Sequence, residues 1–180
     1  MRGGGAENMS NTGGLFNFGE IELILDYGVR LIVATFLGAV IGFDRELRKR
    51  AAGLRTHMVM ALAASLFTVL TLELQRELNA QGSTGGDPIR IIEAITVGVS
   101  FLAAGTIIQS GRNVQGLTTG AGMWLAGAVG LACGLERYGL AVLGALLAVV
   151  ILAVLMPVES WISRASGNTA DKTTGGKKDR

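Results

Sequence analysis

A chain of 180 residues suffices for one compact domain and is short for two. It is 49% hydrophobic and only 17% charged, against roughly 25% in ordinary soluble domains, and its mean hydropathy is +0.46, which excludes a disordered or nucleic-acid-coating chain and disfavours a water-soluble globule. A net charge of +2 is small, and one Cys beside one His leaves no intrachain disulfide and no Cys/His zinc site.

Met1–Asn17 is Gly/Asn-rich with Arg2 as its one basic residue. It lacks the basic region of a cleaved signal, so residues 1–20 read as a flexible N-terminal segment. Five apolar stretches follow, each near the ~20 residues that a bilayer-spanning helix needs. They are Ile21–Phe43, Leu54–Leu74, Ile89–Gln109, Leu117–Leu135 and Gly139–Val158. A soluble helix keeps a polar reverse face, and the last two stretches have none. The pattern predicts an all-α, polytopic membrane helical bundle of about five transmembrane helices over residues 21–162. Ser163–Arg180, polar and rich in Gly, Thr and Lys, reads as a disordered tail.

Basic residues in short loops orient such a bundle. Arg45, Arg48, Lys49, Arg50, Arg55, Arg112, Arg164, Lys172, Lys177, Lys178 and Arg180 fall on one side; Arg2, Arg76, Arg90 and Arg137 fall on the other. This predicts an outer N-terminus and a cytoplasmic C-terminus.

Charges inside spans are costly and therefore informative. Glu22, Asp26 and Arg30 recur every fourth residue and share a helix face, where Asp26 and Arg30 can pair. Glu93 stands one turn into the third span, three residues after Arg90. Asp26, Arg30, Arg90 and Glu93 are expected to form an outer polar network, while Glu22, Glu73 and Arg76 read as interfacial anchors. Mg²⁺ takes oxygen ligands and keeps most of its waters, so Asp26 and Glu93 are the candidate metal ligands.

On the cytoplasmic side, Arg45 and Glu46 precede Gly53-Leu54-Arg55-Thr56-His57. Thr56 is the expected helix cap, and the helix end there could hold an anion. Glu46 is expected to pair with a neighbouring Arg, and His57 to sit partly solvated at the interface. The segment Gly53–Ala63 can be laid on Gly116–Ala126, and Phe36–Ala39 on Phe101–Ala104. The expected result is a parallel repeat of two helical hairpins about an axis along the membrane normal, with Thr119 capping the second corner beside Arg112 and Thr118. Gly38/Gly42, Gly116/Gly120 and Gly130/Gly134 are G-x-x-x-G pairs, which permit close helix contact. They serve packing within the chain, or a membrane-protein partner or homo-oligomer seam. Cys133 reads as a small packing residue. Phosphate-loop, dinucleotide, G-x-S-x-G and H-E-x-x-H signatures are absent, so no enzyme, no catalytic residue, no cofactor and no nucleic-acid partner is expected.

Ile41-Gly42-Phe43-Asp44-Arg45-Glu46, Ala52-Gly53-Leu54-Arg55-Thr56-His57, Asp87-Pro88-Ile89-Arg90-Ile91, Phe101-Leu102-Ala103-Ala104-Gly105 and Gly116-Leu117-Thr118-Thr119 with Trp124-Leu125 resemble the MgtC/SapB family of bacterial membrane proteins across roughly residues 30–155. The resemblance implies an inner-membrane protein linked to magnesium homeostasis. It acts either by modulating other membrane proteins or as a pathway for Mg²⁺ or another small ion. The family's third span usually carries Gly where this chain has Ser100 and Ala103, so a different helix contact is expected there. Longer family members add a cytoplasmic C-terminal domain, and functions tied to it are not implied for residues 163–180.

Overall fold

Long apolar runs without interior Pro satisfy their backbone hydrogen bonds as helices, the one economical solution for a single segment in lipid. The computed structural model describes residues 18–82, 87–110 and 113–153. It contains the helices α1 (Phe18–Leu47), α2 (Leu54–Ala80), α3 (Pro88–Ala104), α4 (Leu117–Gly134) and α5 (Tyr138–Ala153), with the strands β1 (Ile108–Ser110) and β2 (Asn113–Gln115) between α3 and α4. The chain is thus an all-α membrane bundle. Three of the helices, Ile21–Leu47, α2 and α4, are long and apolar enough to cross a bilayer.

The expected third span ends early. Helix α3 has 17 residues, about 25 Å of rise, rather than reaching Gln109. Gly105 and Thr106 close its last turns, and Ile108–Ser110 pairs antiparallel with Asn113–Gln115. This short hairpin carried no alternating pattern long enough to stand out in the sequence. At the front, α1 begins at Phe18, three residues inside the segment read as flexible. The expected tail at 163–180 lies outside the described residues.

Helix α4 is the central element, packing on α1, α2 and α3 and receiving α5 through Val129 and Gly144. Its buried positions are mostly small: Gly120, Gly122, Ala126, Gly127, Gly130, Ala132, Cys133 and Gly134. Small side chains let helix backbones approach in lipid, where no hydrophobic force presses helices together. A β-carbon on Gly130 would overlap the Ala61 carbonyl and lie 2.8 Å from the Ala61 Cα. One on Gly134 would lie 2.6 Å from the Thr68 Cβ, and one on Gly122 3.1 Å from the His57 Nε2. The contacts His57–Gly122, Ala61–Gly130 and Thr68–Gly134 advance together, so α2 and α4 run parallel with their N-termini at the same end.

The two hairpins are built alike, as the repeat predicts. In α1–α2 the close crossing falls at Gly38, whose β-carbon would lie 2.6 Å from the His57 carbonyl. In α3–α4 it falls at the equivalent positions, with Gly120 against the Ala103 carbonyl at 3.0 Å. The glycine stands on the first helix of one hairpin and on the second helix of the other. The altered glycine position Ser100 has its own contact: its hydroxyl donates to the Thr96 carbonyl at 2.7 Å and accepts from the Trp124 indole at 3.2 Å. The lipid-facing sides carry large apolar residues such as Ile32, Phe36, Phe43, Phe67 and Phe101. In α5 the buried stripe is Ala141, Ala145, Ala148 and Leu152, at helical spacing.

All three G-x-x-x-G pairs face neighbours within the chain. Gly130→Ala should therefore lower bundle stability by about 1–3 kcal/mol or more, through overpacking against backbone. Gly28→Ala, where a β-carbon meets nothing within 4 Å, should be neutral or slightly stabilising. Thermal unfolding of the detergent-purified variants checks the pair; equal effects would contradict the packing described.

Candidate functional site

Two polar clusters mark the two ends of the bundle. The first lies at the α1–α2 corner. Helix α1 ends in a Schellman motif, with Arg50 N donating to the Arg45 carbonyl at 3.1 Å and Lys49 N to the Glu46 carbonyl at 3.0 Å. Lys49 occupies the left-handed position, φ 51°, that glycine usually takes. This turn throws the chain back so that Glu46 meets the start of α2. The Glu46 carboxylate accepts from the Leu54 backbone N–H at 3.0 Å. It therefore supplies the anion at the α2 N-terminus, a partner other than the Arg expected for it. Gly53 leaves room for that carboxylate, which a β-carbon there would push aside.

Thr56 is consequently not the cap: Gly53 occupies that position, and Thr56 is half-buried in the first turn. The equivalent corner is solved differently. Gly116 is the N-cap of α4 at φ 89°, pressed against the Thr106 carbonyl where no β-carbon fits. Thr119 is freed from capping, and its hydroxyl accepts from Arg45 Nη2 at 2.7 Å. Arg45 is 1% exposed, and its Nε and Nη1 have no hydrogen-bond partner among the described residues. His57 is fully buried rather than partly solvated. Its Nδ1 bonds the Gly53 carbonyl at 2.8 Å, donating there and turning Nε2 toward Gly122. The structure thus brings Arg45, His57 and Thr119 together inside, sets Glu46 over the α2 terminus, and leaves Arg55 and Thr118 exposed. Arg112 lies outside the described residues.

The second cluster lies at the opposite end. Arg30, 3% exposed, pairs with Asp26 one turn away and with Glu136 from the α4–α5 turn. It also donates to the Gly134 carbonyl at 3.3 Å, and its guanidinium stands 5.4 Å from the centre of the Tyr27 ring. The Tyr27 hydroxyl donates to Glu73, which also binds Arg76 at 2.8 Å. Glu73 therefore joins α2 to α1 instead of merely anchoring at headgroups, while the exposed Arg76 pairs with it within α2. The expected members Arg90 and Glu93 are absent from this network: both are exposed on α3, which packs chiefly on α4.

Glu136 was missed by sequence reasoning, which read residues 136–138 only as a loop. It occupies the glycine-type position of a second Schellman motif, φ 62°, with Arg137 N donating to the Ala132 carbonyl at 2.8 Å. A glutamate held left-handed is the one local signal, and it is visible only in three dimensions. The candidate metal ligands Asp26 and Glu93 stand on separate helices, and no group of three or more His, Cys, Asp or Glu side chains able to hold a metal occurs among the described residues.

A bundle of apolar helices with buried arginines at both ends defines an integral membrane protein. A family model described as the MgtC family matches residues 31–161, and the chain belongs to that family. It is 36% identical over 135 residues to an uncharacterised protein of Synechocystis, covering 75% of this chain and 54% of that protein. It is 33% identical over 129 residues to the YhiD protein of Escherichia coli K12, whose name proposes a magnesium transporter, covering 72% and 60% of the two chains. It is 37% identical over 119 residues to Protein MgtC of Salmonella typhimurium, covering 66% and 48%. The chain thus spans about half the length of these curated relatives. No solved structure matches it.

Neutralising Asp26 or Glu136 alone should cost about 1 kcal/mol or less, because each is half-exposed and Arg30 keeps its other partner. The double variant Asp26→Asn/Glu136→Gln strands a buried guanidinium and should cost about 3–5 kcal/mol. Thermal unfolding of the three variants checks this; strictly additive losses would contradict a shared partner.

Proposed function

We propose that this protein is a bacterial inner-membrane protein, N-terminus outside and C-terminus cytoplasmic, that supports magnesium homeostasis by modulating another membrane protein. It does not itself conduct the ion, and it is not an enzyme. One observation carries this reading. Among the described residues the two buried charges are the cations Arg30 and Arg45, and no acidic side chain is buried. A Mg²⁺ ion in the bundle would meet the Arg45 guanidinium, which has no ion pair among the described residues, in a medium that screens weakly. At the other end it would find Asp26 and Glu136 already held by Arg30 and not free to serve as the oxygen ligands it requires. Transporter sites lie near the bilayer midplane, whereas the buried polar side chains between the two arginines are His57, Ser65 and Thr68.

The link to magnesium rests on family membership and on the name of the YhiD relative. The orientation rests on the distribution of Lys and Arg, eleven against four outside Arg30. The modulating surface is assigned to the cytoplasmic corner, where Arg55 projects outward from a first turn held in place by Glu46 and the buried Arg45–Thr119 bond. The alternative, an ion pathway, would draw on the carboxylates Asp26, Glu73 and Glu136 at the opposite rim.

Proteoliposomes containing the purified protein should take up Mg²⁺ no faster than protein-free vesicles; a saturable flux would favour the pathway. Arg55→Ala should express and melt like wild type, because the side chain is exposed, yet fail to restore growth at low Mg²⁺ in a strain lacking the gene. Full restoration would remove the corner from the function.

A further inference from the structure

We infer that the gap between α2 and α3 is a resident-lipid site that takes one phospholipid with a protonated amine in its head group. The gap has a volume of about 650 Å³, within the range of small-molecule sites. It runs along both helices between apolar walls that include Phe67, Leu74, Ile91, Ile95 and Leu102.

The gap is not a necessary consequence of the hairpin architecture. In the repeat, the α2–α3 boundary is the counterpart of α1–α4, which closes through Arg45–Thr119 and Arg30–Gly134. The positions equivalent to Arg30 and Gly134 are Ile95 and Thr71, and both line the open gap. Gly98 also lines it, and a β-carbon there would meet nothing within 4 Å. An interior helical glycine costs stability, and the other glycines buried in α1 and α4 are used for close contact. Gly98 has no such contact within the chain, and its missing side chain leaves the groove open at that point.

The charges choose the occupant. The groove is apolar along its length and charged only at the end near the α2–α3 connection, where Arg90 and Asp87 line it together. One oxygen of Asp87 accepts from the Ile89 N–H at 2.9 Å as the cap of α3. The Arg90 guanidinium has no ion pair among the described residues. One cation and one anion, a turn apart, at the mouth of an apolar slot match a zwitterionic phospholipid. Its phosphate meets Arg90 as a charge-assisted acceptor, its ammonium meets Asp87, and an acyl chain fills the groove. A helix from a second copy would place an apolar surface against the walls and leave this charge pair unused.

The test is native mass spectrometry and lipid extraction of the full chain purified in mild detergent, with phosphatidylethanolamine and phosphatidylglycerol added back. Wild type should retain phosphatidylethanolamine, and its Tm should rise more with that lipid than with phosphatidylglycerol. Gly98→Leu, whose β-carbon meets nothing within 4 Å and whose side chain would enter the groove, should lose the lipid while keeping its fold. Arg90→Gln should weaken retention about fivefold, as expected of one charge contact at an exposed mouth. Retention by folded Gly98→Leu, equal or greater stabilisation by phosphatidylglycerol, or undiminished retention by Arg90→Gln would each overturn the site. So would a shift of Gly98→Leu from dimer to monomer at unchanged lipid content, which would assign the groove to a second copy.

Discussion

The contact on which the bundle depends is backbone against backbone, where Gly130 of α4 lies on the Ala61 carbonyl of α2. Lipid tails are as apolar as leucine, so these helices gain little by hiding large apolar side chains from lipid. They gain by dispersion between closely approaching backbones. That requirement puts glycine and alanine inside α4 and the aromatic and branched residues on the outside of α1 and α2. It also brings α2 and α4 close enough, with their N-termini together, for Arg45, His57 and Thr119 to share one buried space.

Charge is arranged with equal consistency. Arg30 and Arg45 are inside, each tied to hydrogen-bond acceptors on a neighbouring element. Arg30 draws Asp26 and Glu136 to it, while the carboxylates themselves stay partly in solvent. Burying a guanidinium is tolerable when several acceptors surround it, as they do Arg30; Arg45 has the Thr119 hydroxyl, while its Nε and Nη1 have no partner among the described residues. Carboxylates would need donors, and the interior of a helical bundle offers few. The outcome is a cationic interior with an acidic rim at the Arg30 end, an arrangement that ties α1 to the α4–α5 turn and to the start of α4.

The two corners show how one sequence pattern meets two local problems. Gly53 admits a carboxylate from the preceding helix, and Gly116 admits a carbonyl from the preceding turn. The resemblance between the segments reflects a shared need for space at a helix start, and the chemistry filling that space differs. The same divergence appears between the helix boundaries. One closes through arginines, and its counterpart, lined by Ile95 and Thr71, stays open.

The sequence by itself determined the membrane class, the starts of the five helices to within three residues, the pairing of Asp26 with Arg30 and the equivalence of the two hairpins. Each of these follows from local spacing: span length, the fourfold recurrence of charge on one helix, and a repeated string at matched positions. Only the tertiary structure decided what those residues meet. Glu136 comes to Arg30 from more than a hundred positions away through a left-handed turn that no propensity rule assigns to glutamate. Glu93, one turn into its helix and apparently well placed, faces outward because α3 packs on α4. Thr119 serves as acceptor for Arg45 instead of capping its own helix, and His57 is buried, because α2 and α4 approach at glycine distance. Such partnerships depend on which helix faces pack together, and that is set by the shape of small residues across the whole bundle, a quantity that spacing along one chain does not contain.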